Sequence, residues 1–274
     1  MRDVNMALLE HMGEAQKWLK ESDREADILG VFLYGSQNYN FADDASDVDT
    51  ECIVVPSLKE LCLNQPVSTE HELPNGEHVA IKDIRLAFKH LRKQNIDDVQ
   101  LLFTDFYWIN PKYADLWEQF LTYRNQIAFG DPYQAVKTIG YQIRDKIKTM
   151  GTNPKVLANC IRLDYFIEKY KEGADYLDCI RVPNTMPDGM TKDDLFTLKR
   201  CENYTVTDSV TGDLKVVNPA YQKYVDMLTQ KYSDVEAVLP DESDTRSIGL
   251  MNTVLDQRLL DIIRHKISTE TKVL

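Results

Sequence analysis

The chain has 274 residues, of which 43% are hydrophobic and 28% charged, and its 32 basic and 44 acidic side chains give a net charge of −12. This composition excludes disordered and fibrous proteins, and the excess of acidic side chains disfavours a protein that coats nucleic acid. No apolar run reaches the ~18 residues of a membrane span, and the N-terminus lacks a secretory signal, so we expect a cytoplasmic protein with no membrane partner.

The first half of the chain alternates between helix-like and strand-like patterns. Apolar residues recur every three or four positions in the helix-like segments, whereas β-branched and aromatic residues dominate the strand-like ones. The turn Pro74-Asn75-Gly76 predicts a hairpin, because Asn-Gly favours the tight turn that joins two strands. The predicted elements are a helix over 4–20, strands over 28–34 and 48–55, a short helix over 57–63, two strands within 70–84 and a helix over 84–102.

The second half is mostly helical. Asp131-Pro132 predicts a helix start, since aspartate caps the first turn and proline fits the first helical position. Residues 205–217 are the exception, because β-branched runs on either side of Thr211-Gly212 predict a hairpin. The predicted helices run from 132 to about 150, from 154 to about 170, onward from 191, from 219 to about 238 and from 248 to 267. Together the two halves predict an α+β protein with one domain over 1–125 and a mostly helical domain over 126–274.

Five cysteines and five histidines are scattered along the chain without the spacing of a metal site. There is no C-x-x-C pair and no H-E-x-x-H motif, and the number of cysteines is odd. Neither a disulfide framework nor a zinc site is therefore predicted. We expect the cysteines to act as small buried apolar residues.

One window stands out, in which Tyr34-Gly35-Ser36 is followed by Ser46-Asp47-Val48-Asp49. Side chains alternate along a strand, so Asp47 and Asp49 are predicted to point the same way. Two carboxylates held so close repel one another unless a cation lies between them. Mg²⁺ and Mn²⁺ prefer such oxygen ligands and are often shared with substrate phosphates.

The glycine-serine pair supplies the complementary half of this window. Gly35 lets a phosphate approach the backbone, while the Ser36 hydroxyl and a following helix start supply hydrogen-bond donors. Either half alone is typical of an ordinary turn or loop. Together they predict metal-assisted phosphoryl or nucleotidyl transfer.

The combination of Gly35-Ser36 with Ser46-Asp47-x-Asp49 resembles the signature of the polymerase-β-type nucleotidyltransferase superfamily. The fuller window, with Tyr39 and Phe41, is similar to a bacterial and phage branch of predicted nucleotidyltransferases associated with RNA repair. The resemblance implies a small mixed β-sheet with helices, two divalent ions (Mg²⁺ or Mn²⁺) and an NTP substrate, ATP foremost. For this branch it also implies an RNA 3′ end as acceptor.

The resemblance further assigns residues. Members carry a third acidic residue on a later strand, with an Asp-x-Arg segment and a helix, and Asp83-Ile84-Arg85 matches that order. The implied site consists of Asp47, Asp49 and Asp83 as catalytic metal ligands, and of Gly35, Ser36, Ser46 and Arg85 as nucleotide-binding residues. Asp83 has a second interpretation, as the N-cap of the helix that begins at Ile84. Gln100 stands where the branch has an acidic residue.

Residues 131–171 form a basic island, with eight Lys or Arg against four Asp or Glu. Such an island can hold a triphosphate tail or the backbone of an acceptor, and Lys146 and Arg162 are the predicted phosphate contacts. If these two residues contact the phosphates, the helical domain would close a cleft over the nucleotide. The alternative is an ordinary solvated helix face.

Three functions remain open from the sequence. The first is an enzyme that adds nucleotides to a polynucleotide end, RNA foremost. The second is an enzyme of the same chemistry that adenylylates a protein or a small molecule, such as a partner toxin or an antibiotic. The third is an interaction protein with an idle nucleotide site. The intact glycine-serine pair and the three acidic residues favour an enzyme, and nothing in the sequence decides between the first two.

Overall fold

The computed structural model describes residues 2–42, 46–150, 153–200, 205–207, 214–216 and 219–271. The strands are β1 (Asp27–Tyr34), β2 (Asp49–Val55), β3 (Thr69–Glu72), β4 (His78–Asp83), β5 (Tyr107–Ile109), β6 (Thr205–Thr207) and β7 (Leu214–Val216). The helices are α1 (Val4–Glu21), α2 (Leu58–Cys62), α3 (Ile84–Arg92), α4 (Ile96–Val99), α5 (Ala114–Leu121), α6 (Arg124–Ala128), α7 (Pro132–Met150), α8 (Pro154–Lys171), α9 (Tyr176–Ile180), α10 (Lys192–Arg200), α11 (Pro219–Lys231) and α12 (Thr245–Glu270).

The central feature is a five-stranded sheet with the strand order β3-β4-β2-β1-β5. β1 runs antiparallel to both β2 and β5, β2 runs parallel to β4, and β3 pairs antiparallel with β4. In this register Tyr34 lies opposite Asp49, whereas Asp83 pairs with Val54 towards the other end of β2. The sheet is mixed, and with its surrounding helices it confirms the predicted α+β class.

Helix α1 covers one face of this sheet. Its buried stripe includes Leu8, Ala15 and Leu19, which pack with Val31 of β1 and Val54 of β2. Burying each large apolar side chain contributes about 1.5–3 kcal/mol to folding. This stripe repeats every three or four residues, which is why the helix was predictable from sequence.

Aromatic side chains fill the opposite face. The ring of Phe32 on β1 lies 4.9 Å from that of Trp117, and Phe88 stacks on Phe120 at 5.1 Å between centroids. Helix α5 thus packs against β1 through Trp117, while α3 packs against β2 and β4. Both central strands are buried along their length and become partly exposed at Tyr34 and Asp49.

The prediction of one continuous helix over 84–102 is wrong, because the segment is broken after α3. Helix α3 ends at Arg92, Gln94 adopts a left-handed conformation with φ of 53°, and α4 starts after the N-cap Asn95. The buried Gln94 amide donates to the carbonyls of Leu91 and Ile127, which holds the break in place. Apolar spacing continues through the break, so periodicity alone did not reveal it.

The chain forms two compact units: Met1–Asp131 with Asp244–Leu274, and Pro132–Ser243. These bounds differ from the predicted domains 1–125 and 126–274, since α12 returns to the first unit. Lys266 of α12, which is 4% exposed, donates to Asp27 Oδ1 at 2.9 Å. A buried lysine at this position gave no signal in the sequence, because lysine is normally read as exposed.

The second unit is mostly helical. Helices α7 and α8 pack together, and their buried residues include Ile139, Ile143, Leu157 and Phe166. Strands β6 and β7 pair antiparallel and confirm the predicted hairpin, whereas its predicted turn at Thr211-Gly212 lies outside the described residues. Residues 151 and 152, between the predicted helices that end near 150 and begin at 154, also lie outside them. Among the helices in the described ranges, none has the length and apolar character needed to cross a bilayer.

Candidate functional site

The two halves of the glycine-serine and Asp-x-Asp window lie side by side at one end of the sheet. Tyr34, the last residue of β1, pairs with Asp49, the first residue of β2, so Gly35 adjoins Asp49. Gly35 has a φ of +80°, and a Cβ atom there would lie 3.5 Å from Asp49 Oδ2. The antiparallel pairing of β1 and β2 thus brings together residues separated in the sequence by a long loop.

The chain leaves β1 through a single 3-10 turn, Gly35–Gln37, rather than through the predicted helix start. The N–H groups of Tyr39 and Phe41 both donate to the Ser36 carbonyl. A phosphate here would therefore depend on backbone N–H groups and the Ser36 hydroxyl, without a helix dipole. Both aromatic side chains are buried, which agrees with a packing role.

Neighbouring polar groups hold this turn in place. The Asn38 side-chain amide donates to the Leu33 carbonyl at 2.7 Å, and the Thr104 hydroxyl donates to Asn38 Oδ1 at 2.7 Å. The Leu33 N–H in turn donates to the Phe106 carbonyl. The turn is therefore fixed by the end of β1 and by the segment that leads into β5.

The two aspartates of the window differ in their surroundings. Asp49 is half-buried at the start of β2, and its Oδ1 accepts the His78 N–H at 3.0 Å. Asp47 precedes the strand and is exposed, and Ser46 is half-buried. One carboxylate is thus fixed by the sheet, whereas the other lies at the solvent boundary.

Asp83 does not join this pair, which corrects the expectation of three converging acids. The parallel ladder pairs it with Val54, five residues along β2 from Asp49, or about 16 Å at the usual rise of a strand. Strand alternation places it on the α1 side of the sheet with Val79 and Ile81, opposite to Asp49.

The Asp83 carboxylate instead holds the start of α3. It is 3% exposed, and it accepts the Arg85 N–H at 2.9 Å, the Arg85 Nη2 at 2.6 Å and the Val67 N–H at 3.3 Å. Arg85 also donates to the Gln65 carbonyl. The N-cap interpretation of Asp83 is therefore the one that its contacts support, and Arg85 lies with it, away from the glycine-serine turn.

A buried cluster of charges shares the sheet face of Asp49. Glu51, two residues further along β2, lies opposite Ala80, and its Oε2 accepts from Lys82 Nζ at 2.6 Å. Lys82 also donates to Asp98 Oδ1 at 2.9 Å, and Asp98 Oδ2 lies 3.0 Å from His90 Nδ1. Burial, with a contribution from Asp98, raises the pKa of Glu51 to about 8, against the opposing effect of Lys82.

Strand alternation could have identified Glu51 in the sequence, since it continues the spacing of Asp47 and Asp49. Lys82 and Asp98 could not have been assigned to it, because the parallel ladder and α4 bring them there. Along β4, which is described throughout, the side chains on this face are those of His78, Ala80 and Lys82. No third carboxylate therefore comes from that strand.

A second buried network lies behind Asp49, on the α1 side. His11 is fully buried, with Nδ1 2.8 Å from Thr50 Oγ1 and Nε2 3.1 Å from Glu77 Oε2. Arg2 Nε lies 2.7 Å from the other Glu77 oxygen. Because Thr50 and Glu77 adjoin Asp49 and His78, this network ties α1 to the two strands that position the Asp49 carboxylate.

The predicted basic contacts lie in the second unit. Lys146 is half-buried on α7, while Arg162 on α8 is 2% exposed and donates to Asn159 Oδ1 through Nε and Nη2. Several other basic side chains of the island pair with acids, as in Lys137–Glu236, Arg144–Asp145 and Lys169–Glu172. Phosphate binding by Lys146 and Arg162, and closure of a cleft by this unit, stay predictions.

The surroundings of Asp47 and Asp49 fit a divalent cation that arrives with a nucleotide. Within the described ranges, no three His, Cys, Asp or Glu side chains form a ready-made cation site. Mg²⁺ is commonly held by one or two carboxylates together with substrate phosphates and water. Asp49, which lies beside the Gly35 turn, and Asp47, two residues before it, offer carboxylates of this kind. The Asp83 carboxylate does not, because it is engaged on the other face.

No protein-family model matches this chain, and no curated protein matches its sequence. The family resemblance therefore depends on its motifs, chiefly residues 34–49. Within that window, the pairing of Tyr34 with Asp49 brings the glycine turn against the carboxylate.

We expect Gly35→Ala to weaken nucleotide binding by about tenfold or more. A left-handed alanine costs roughly 1–2 kcal/mol, and the added Cβ would enter the space beside Asp49 Oδ2. Gly76→Ala is the matched control, because Gly76 has a similar φ of +84° with nothing within 4 Å of the added Cβ. Titration with Mg²⁺ and a fluorescent ATP analogue checks this, and equal affinity losses in the two variants would show that the effect is only backbone strain.

Proposed function

We propose that this protein is a metal-dependent nucleotidyltransferase, which transfers a nucleoside monophosphate from an NTP, ATP foremost, to an acceptor hydroxyl and releases pyrophosphate. The contact of Gly35 with Asp49 carries the proposal. A backbone turn open to phosphate and a carboxylate suited to Mg²⁺ adjoin at a partly exposed strand end. The resemblance of the window to the polymerase-β-type superfamily supports the same chemistry.

Each residue of the window has a defined part in this reaction. The Gly35–Ser36 turn binds the triphosphate through its backbone N–H groups and the Ser36 hydroxyl. Asp49, held by the His78 N–H, and Asp47, at the solvent boundary, would hold the Mg²⁺ that accompanies the nucleotide. When bound there, such an ion would supply positive charge that stabilises the phosphates and the leaving pyrophosphate. The fixed turn and strand orient the α-phosphate for in-line attack, and such positioning supplies much of the acceleration in phosphoryl transfer.

An RNA 3′ end is the acceptor that we propose to test first. Its support is the resemblance of residues 34–49 to a branch associated with RNA repair. The net charge of −12 opposes extensive contact with a nucleic acid backbone, so we expect contact with a terminus rather than with a long stretch of RNA.

Incubation with each α-labelled NTP and Mg²⁺ or Mn²⁺, with and without RNA, tests this function. The proposal predicts label on the RNA end that depends on both the metal and Asp49. Label found only on a protein or a small molecule would support nucleotide transfer but not an RNA acceptor. The protein would then be an enzyme that adenylylates a protein or a small molecule. Nucleotide binding with no transfer to any acceptor would contradict the proposed reaction and leave an interaction protein.

A further inference from the structure

A buried histidine joins the two strands behind Asp49. On α1, His11 occupies a position in the otherwise apolar buried stripe, and its side chain is fully buried. Its Nδ1 lies 2.8 Å from Thr50 Oγ1 on β2, and its Nε2 lies 3.1 Å from Oε2 of Glu77, which directly precedes β4. Because both ring nitrogens have partners, the imidazole bridges the starts of the two strands.

Glu77 is itself held at its position. Its Oε1 lies 2.7 Å from Arg2 Nε, and Asn75 Nδ2 donates to its Oε2 at 2.9 Å. Its main-chain carbonyl accepts the Leu73 N–H at 2.8 Å. The side chain is only 5% exposed, and a buried polar group whose partners are all in place is rigid. Glu77 is therefore a fixed anchor for the imidazole.

These contacts close into a circle that includes the Asp49 carboxylate. The parallel ladder between β2 and β4 begins at Thr50, so that Asp49 and His78 lie one residue before its first pair. There the two strands are joined instead by the His78 N–H, which donates to Asp49 Oδ1 at 3.0 Å. We call this closed set of contacts the His11 network; its members are Asp49, Thr50, His11, Glu77 and His78.

The His11 network determines which oxygen of Asp49 faces the glycine turn. Oδ1 is engaged by the His78 N–H, whereas Oδ2 lies on the side of Gly35, 3.5 Å from the position of a Cβ atom on that residue. A carboxylate held in this way presents a single oxygen to a cation at the turn. Mg²⁺ suits such a ligand because it requires near-octahedral geometry, whereas Ca²⁺ readily takes both oxygens of one carboxylate.

We infer that His11 is a positioning residue that makes the cation site selective for Mg²⁺ over Ca²⁺, because it keeps Asp49 to single-oxygen binding through Oδ2. The inference rests on the proposed nucleotide site. It adds a determinant of cation choice that lies behind the sheet and touches neither cation nor nucleotide. Hydrogen-bonded partners commonly orient metal-binding carboxylates in this way. Opening the network would let Asp49 turn and offer both oxygens, which favours Ca²⁺.

Two variants open the His11 network without changing the Asp49 side chain. Thr50→Val keeps the shape of the side chain and removes the hydroxyl that contacts Nδ1. His11→Leu removes both contacts of the imidazole and keeps an apolar residue in the stripe.

Two further variants are controls. Thr50→Ser is the conservative control, because it retains a hydroxyl. Leu19→Ala is the stability control, because it removes buried contacts between α1 and the sheet about two helical turns away from His11.

The first measurement is hydrogen exchange of the His78 amide, followed by NMR on the metal-free full chain. The rate is compared with that of the Ile81 amide in the same strand, so that a general loss of stability affects both. Relative to Ile81, we expect His78 to exchange about threefold to tenfold faster in Thr50→Val and His11→Leu, which is the range that one hydrogen bond contributes. Thr50→Ser should behave as the wild type does.

The second measurement is the affinity for a fluorescent ATP analogue at saturating Mg²⁺ and at saturating Ca²⁺. We expect the wild type to bind the Mg²⁺ complex more tightly. The ratio of the two affinities should fall by about threefold to tenfold in Thr50→Val and His11→Leu and should be retained in Thr50→Ser. Leu19→Ala should lower the Tm and leave this ratio unchanged.

Three results would overturn the inference. The first is a wild type that binds both complexes equally well. The second is a wild-type ratio in folded Thr50→Val and His11→Leu. The third is an equal fall of the ratio in Leu19→Ala, which would assign the effect to stability alone. Failure of the proposed function has a different signature, because the wild type would then bind the analogue with neither cation while the His78 amide still exchanged faster in Thr50→Val.

Discussion

Replacing Asp49 with asparagine should lower nucleotide transfer by roughly 10³-fold or more, because positive charge on the phosphates contributes several kcal/mol to such reactions. The stability of the variant should equal or exceed that of the wild type. Asparagine Oδ1 can still accept the His78 N–H, and the substitution removes a charge next to Asp47 that repels it in the metal-free state. Turnover of labelled NTP and urea unfolding measure the two effects.

Asp83→Asn is the matched control for this prediction. It should leave transfer nearly unchanged and lower stability, since it weakens the cap of α3 and the pair with Arg85 by about 1–2 kcal/mol. Transfer at the wild-type rate in Asp49→Asn would refute the site. Loss of transfer in a folded Asp83→Asn would restore the acid triad expected from the sequence.

Asp27→Ala should lower the free energy of unfolding by about 2–3 kcal/mol. Asp27 Oδ1 accepts from the buried Lys266 of α12, and Oδ2 accepts from the Tyr113 hydroxyl at 2.8 Å and from Lys112. Its removal leaves Lys266 with less negative charge around it and loosens α12 from β1. Glu25→Ala is the control, because Glu25 pairs with the exposed Lys59 and such surface pairs contribute about 1 kcal/mol or less.

The pH dependence of the Asp27 contribution has a definite sign. Burial raises the pKa of Asp27, but its hydrogen bonds with Lys112, Lys266 and Tyr113 outweigh burial and leave the pKa below its ordinary value. A carboxyl with a lowered folded-state pKa stabilises the protein above its unfolded pKa of about 3.9, and this stability is lost as the pH falls through the folded value. The difference in the free energy of unfolding between the wild type and Asp27→Ala should therefore be constant near neutral pH and should decrease below about pH 4. Urea unfolding at a series of pH values measures this difference. If this difference stayed the same at acid pH, packing rather than the charge of Asp27 would hold α12 in place.

Local features of the sequence were enough to predict most of the sheet and the glycine-aspartate contact. The apolar runs before Gly35 and after Val48 indicated strands, and strands that follow one another in the chain commonly lie side by side in a sheet. The Asn75-Gly76 hairpin followed from turn chemistry, and Gly76 indeed has a φ of +84°. These predictions depend on residues close together in the chain.

Register and long-range pairing were not predictable in the same way. Asp83 stands at the end of its strand in sequence, yet only the parallel ladder with β2 shows that it lies opposite Val54 and on the α1 face. The return of α12 to the first unit brings the buried Lys266 against Asp27 and the Glu25 carbonyl, and no local pattern reveals that contact. The His11 network likewise joins residues from three separated segments.

The most direct test of the proposed site is a crystal structure with Mn²⁺ and a non-hydrolysable ATP analogue, in which anomalous scattering locates the ion. We expect a peak within bonding distance of Asp47 and Asp49, with the triphosphate against the Gly35–Ser36 turn. An ion bound at Asp83, or a nucleotide bound away from this turn, would contradict the proposal.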